Sequence, residues 1–146
     1  MRELLALGAN VEAAVNAGWT SLFIASQNGR LDVVRELLAR GANIEATGED
    51  GWTSLFVASQ NGRLDIVREL LARGANVNAA TNVGTTPLIQ ASWCGRTEVV
   101  RTLLAAGADK RRMDNNGATA TSLAGTEVDA PPGSRAAILA LLAAAP

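Results

Sequence analysis

Between Gly51 and Ala79 the apolar positions fall into two short runs separated by a glycine. Leu55, Val57 and Ala58 mark a first helix over Ser54–Gln60. Leu64, Val67, Leu70 and Leu71 then recur at helical spacing along Leu64–Arg73, with charged residues on the other side. Asp65–Arg68 and Glu69–Arg73 stand three and four residues apart, pairs worth about 0.2–0.5 kcal/mol each on an exposed face. Thr53 precedes the first run as an N-cap, whose hydroxyl can accept an orphan amide proton. Gly62 and Gly74 follow the two runs, where a left-handed residue ends a helix. The segment Ala75–Val83 is short, polar and rich in Asn and Thr, and reads as a hairpin leading to Gly84.

The same pattern stands once more, upstream. Gly18–Ala46 differs from Gly51–Ala79 at only four of 29 positions: Ile24/Val57, Val33/Ile66, Ile44/Val77 and Glu45/Asn78. Three of these exchange one β-branched residue for another, which keeps the shape of a core. The offset from Gly18 to Gly51 continues through Gly84 and Gly117, with Thr20 and Thr86 as further caps and Pro87 at a first helical position. A fixed period of this length marks a stacked array.

These features together resemble the ankyrin repeat: the Thr-x-Leu opening, the Ala-Ser pair, the Gly-capped Leu-Leu helix and the Gly-Ala-Asn-Val-Asn-Ala exit. The resemblance covers essentially the whole chain. It implies an all-α solenoid of stacked helix-turn-helix units joined by β-hairpin loops. The expected units are a half repeat at 1–14, full repeats at 15–47, 48–80 and 81–113, and a divergent repeat at 114–146. Its final helix is expected over Arg135–Ala145, after a Pro- and Gly-rich loop from Gly125 to Gly133. The family's Thr-Pro-Leu-His is here Thr-Ser-Leu-Phe at Thr20–Phe23 and Thr53–Phe56, and Thr-Pro-Leu-Ile at Thr86–Ile89. The chain has no His, so apolar packing is expected where the family's His makes hydrogen bonds.

Composition narrows the function. Aromatics are 3% of 146 residues, so Leu, Val and Ala must fill the core. The net charge of −1 offers no electrostatic footprint for nucleic acid. All but Lys110 of the 13 basic residues are Arg. No apolar run reaches the roughly 18 residues of a membrane span. Nothing at the N-terminus resembles a signal peptide, and one cysteine permits no internal disulfide. These point to an intracellular, cytoplasmic setting. Without His there is no Ser-His or Cys-His pair, and no phosphate loop or metal motif occurs. Asp32, Glu36, Asp65 and Glu69 repeat with the unit beside Arg and read as a solvated face. The chain is therefore expected to be no enzyme, with no cofactor and no metal.

The resemblance implies a protein partner, bound by the hairpin tips and the exposed side of the first helices. By register the tips are Asn16, Ala17 and Trp19; Glu49, Asp50 and Trp52; Asn82, Val83 and Thr85; and Asn115, Asn116 and Ala118. The helix positions are Gln27 and Asn28, Gln60 and Asn61, and Trp93 and Cys94. Trp19 and Trp52 read either as scaffold lying on a hairpin or as contacts. Trp93 replaces Gln27 and Gln60 of the sister units, so the frame does not demand it, and it reads as a partner surface. Cys94 reads as an inert, partly covered thiol or as a redox or crosslinking handle. Lys110, Arg111 and Arg112 occupy the third exit loop, as solvated charges or as a basic spot for an acidic ligand. An alternative is a self-associating array, stacked end to end through an N-terminal half-unit and the apolar Ala136–Ala145 end.

Overall fold

Four threonines start helices in the computed structural model, which describes residues 14–15, 19–48 and 50–145. The hydroxyls of Thr20, Thr53 and Thr86 accept the amides of Phe23, Phe56 and Ile89 at 3.1–3.2 Å. Thr119 does the same for Ser122, whose own hydroxyl accepts the Thr119 amide in a capping box. Behind these caps lie α1 (Ser21–Gln27), α3 (Ser54–Gln60), α5 (Pro87–Trp93) and α7 (Ala120–Leu123). Each is followed by a longer partner: α2 (Leu31–Ala39), α4 (Leu64–Ala72), α6 (Thr97–Ala105) and α8 (Ser134–Ala144). Gly29, Gly62 and Gly95 turn the chain between partners at φ +75, +68 and +74, a left-handed conformation that glycine adopts without strain.

The helices stack in two layers. α1, α3, α5 and α7 pack in series, as do α2, α4, α6 and α8, and each first helix packs on its own partner. Ala25, Ala58, Ala91 and Ala124, one from each unit in register, are all buried between the first helices. Their missing bulk lets those helices approach closely. Leu22, Leu55 and Leu88, with Leu37, Leu70 and Leu103, fill the seam between layers. On the second-helix layer Glu69 accepts from Arg73 at 2.9 Å and from Arg35 of the preceding pair at 3.1 Å. Among the described residues no ion pair joins Asp65 to Arg68. The short Asp65 carboxylate instead accepts the Ile66 amide at 2.8 Å.

The loops are turns more than ladders. Only β1 (Ala14–Val15) and β2 (Trp19–Thr20) pair as strands among the described residues, antiparallel with Val15 opposite Trp19. Further along, Thr81 N–H donates to the Thr85 carbonyl at 2.9 Å and Gly84 N–H closes back on Thr81 at 2.9 Å. In the next loop Asp114 and Ala118 repeat this, and the Asp114 carboxylate also takes the Asn116 and Ala118 amides. The last helix begins at Ser134, one residue before the expected start, after a long link over residues 125–133.

Candidate functional site

The loop tips join one another across the stack. Asn82 N–H donates to the Asp50 carbonyl at 3.0 Å, and Asn115 N–H to the Val83 carbonyl at 2.9 Å. The side chains of Asp50, Asn82 and Asn115 remain exposed, and Val83 is 60% exposed at the same edge. Thr85 is half-buried, its amide held by the Thr81 hydroxyl at 3.2 Å. Trp52 is half-buried with its ring centroid 4.8 Å from that of Phe56, one helical turn on. Asn16, Ala17, Glu49, the side chain of Trp19 and the half-unit up to residue 13 lie outside the described residues.

The ends of the first helices form a second row. There the last carbonyl of each helix lacks an intrahelical donor and must find one elsewhere. The Gln27 carbonyl receives Asn61 Nδ2 and Arg63 Nε, both at 3.3 Å. The Gln60 carbonyl receives Arg96 Nε at 3.0 Å. At the equivalent Trp93 carbonyl, Asp129 stands one period on from Arg96, and the donor is the Glu127 amide at 3.2 Å. Gly125 N–H also donates to the Ser92 carbonyl at 2.7 Å. The 125–133 link thus straps the end of α5. Its fit is tight, for a Cβ on Gly95 would lie 2.7 Å from Ser134 Oγ and 2.9 Å from Pro131 Cδ.

This strap decides what Trp93 and Cys94 can do. Trp93 keeps 37% of its surface exposed, and Val128 on the strap is 97% exposed. Cys94 is only 4% exposed, which corrects its expected place among the partner contacts. Burial, then the neighbouring Glu127 carboxylate and its hydrogen bond, push the thiol up to about 12. A thiol so protonated is a poor nucleophile at neutral pH. Gln90 lies alongside, with Nε2 3.4 Å from Gln60 Oε1 and 4.0 Å from Cys94 Sγ. Gln90 is not among the expected contacts, although the repeat register sets it opposite Ile24 and Val57. A polar residue at an otherwise apolar position was the available signal.

Lys110, Arg111 and Arg112 are not part of either row. Lys110 is half-buried, and its Nζ donates to the Leu142 carbonyl at 2.7 Å and to the Ala145 carbonyl. A cation at the C-terminal end of α8 meets the negative end of the helix dipole. Lys110 is therefore a clamp for the last helix, which corrects its reading as a solvated charge. Arg111 and Arg112 are exposed. Of the other helix positions Asn28 is exposed, while Gln27, Gln60 and Asn61 are half-buried.

A family model described as ankyrin repeats (3 copies) matches residues 45–114, and one described as ankyrin repeat matches residues 17–49. This chain belongs to the ankyrin repeat family. No curated protein matches it. Among the described residues no helix is long and apolar enough to cross a membrane, and no three His, Cys, Asp or Glu side chains cluster as metal ligands.

Proposed function

We propose that this chain binds a protein partner on the side formed by its loop tips and first-helix ends, with Trp93 as the principal anchor. Ankyrin repeats are in general protein-interaction modules. The observation that carries the finer reading is the exposure of Trp93 where both sister positions hold glutamine. A partly open indole leaves apolar surface in water that a partner would cover. Asn28, Gln60, Asn61, Asp50 and Asn82 then supply the polar rim. Carbonyl-to-arginine bonds at Gln27 and Gln60 tie successive units together, which limits the ordering entropy lost on association.

The test is Trp93→Ala in a pull-down followed by calorimetry on the captured partner. Binding weakens by about 2 kcal/mol or more, as for an aromatic hot spot, while the melting curve hardly moves. The backbone carbonyl that holds the strap survives this substitution. A large loss of stability with unchanged affinity would make Trp93 part of the core.

A second reading is end-to-end association through α8, whose Ala136, Ala137, Ala140 and Ala143 are exposed. Sedimentation equilibrium showing a strict monomer at high concentration would dispose of it.

A further inference from the structure

A cavity of about 290 Å³ opens between the third exit loop, α7 and α8, away from both rows described above. Leu139 and Leu142 form its floor, and Lys110, Arg111, Thr119 and Thr121 stand around it. Lys110 is engaged by the α8 carbonyls, so the free cation of the rim is Arg111, with Arg112 next in the chain. Among the described residues no carboxylate pairs with either arginine. The acids nearby in sequence are turned to the backbone: Asp109 accepts the Arg111 amide at 3.0 Å, and Asp114 accepts Asn116 and Ala118.

We propose that this cavity is a second docking site, which takes an aliphatic side chain from an acidic peptide segment of a partner. Its volume sits at the lower edge of ligand cavities, roughly 300–1,000 Å³, which suits one or two side chains more than a whole cofactor. The charge of the occupant follows from the rim. The unpaired Arg111 guanidinium on the rim matches a carboxylate in bidentate geometry, and Arg112 next in the chain adds to the positive charge. Aliphatic floor and cationic rim then read one short motif, a leucine-like residue flanked by Glu or Asp.

The test uses an acetylated Glu-Glu-Leu-Glu-Glu amide labelled with a fluorophore, titrated with the full chain by anisotropy. The expected result is saturable binding that falls with added salt. It weakens at least about tenfold when Gly replaces the Leu of the peptide, and about as much in Arg111→Glu/Arg112→Glu or Thr121→Phe, which repel or plug the site. Arg111, Arg112 and Thr121 are all exposed, so these variants keep the melting curve of the parent. Trp93→Ala leaves this peptide bound, which separates the site from the row at the first-helix ends. No saturation up to about 1 mM would overturn the proposal, as would equal binding of a Lys-Lys-Leu-Lys-Lys amide. So would unchanged affinity in the double arginine variant and in Thr121→Phe, or capture by phosphatidylserine vesicles in place of the peptide.

Discussion

The junction between the pairs α1/α2 and α3/α4 and the junction between α5/α6 and α7/α8 meet the same requirement by different means. At the first, the orphan carbonyl of Gln27 is held by the side chains of Asn61 and Arg63. At the second, the carbonyls of Ser92 and Trp93 are held by the main chain of the strap, through Gly125 and Glu127. A side-chain donor leaves the helix end accessible and can be repeated in every unit. A main-chain donor needs a longer link, covers Gly95 and Cys94, and leaves Trp93 alone partly open. The first arrangement propagates a stack, and the second individualises a surface on it.

The largest way to break this comparison is to add one methyl group. Gly95→Ala sets a Cβ against Ser134 and Pro131 at a φ of +74, whereas Gly74, at φ +91, has open space around it. Gly95→Ala is expected to cost about 3 kcal/mol in urea unfolding and Gly74→Ala about 1 kcal/mol. Hydrogen exchange would show the extra loss confined to α7, α8 and the strap; equal losses would mean that the strap adds nothing.

Removing the donors is a gentler cut. Arg96→Ala leaves the Gln60 carbonyl without its donor and is expected to cost about 1.5 kcal/mol. Arg63→Ala leaves Asn61 still on Gln27 and is expected to cost about 0.5 kcal/mol. Reversal of that order in thermal melts would refute the assignment of these carbonyls to their donors.

Smaller still is a gain. Among the described residues the buried hydroxyls of Ser26, Ser59 and Ser92 have no hydrogen-bond partner. Ser59→Ala, in the middle of the stack, removes a desolvated polar group and is expected to stabilise by up to about 1 kcal/mol. A loss of stability would reveal a hydrogen bond formed in solution.

The last effect is one of pH. Hydrogen bonds from Arg73 and then Arg35 hold the Glu69 carboxyl below its ordinary value of 4.5. A carboxyl with a lowered folded value contributes stability above 4.5 that is lost as pH falls through that folded value. Glu69→Gln should flatten this acid limb. At the next junction Thr102 stands where a glutamate would continue the series, and its hydroxyl donates to the Glu98 carbonyl at 2.9 Å. Thr102→Ala should therefore leave the acid limb unchanged.

Much of this was legible in the chain because it is local. Thr53 caps within three residues and Gly62 turns within one, and the expected Ser54–Gln60 helix has the bounds observed. What escaped was contact across the period. The partners of Lys110 lie 32 and 35 residues away, and those of Arg63 and Arg96 lie 36 away. Local spacing says nothing about such pairs. The burial of Cys94 depends on a strap of proline and glycine that follows neither helical nor strand periodicity. Trp93 stands out in the sequence as a departure from its sisters, yet the strap that holds its carbonyl is an irregular link no register could align.

That covered cysteine makes the last helix pair its own stopwatch. An alkylating reagent reaches Cys94 only in the fraction of molecules whose strap has lifted, since the docked thiol is buried and protonated. When reclosing outruns alkylation, the labelling rate divided by that of the unfolded chain is the open fraction itself. One native sulfur thus reports how often the end of the stack breathes, with no tag and no substitution.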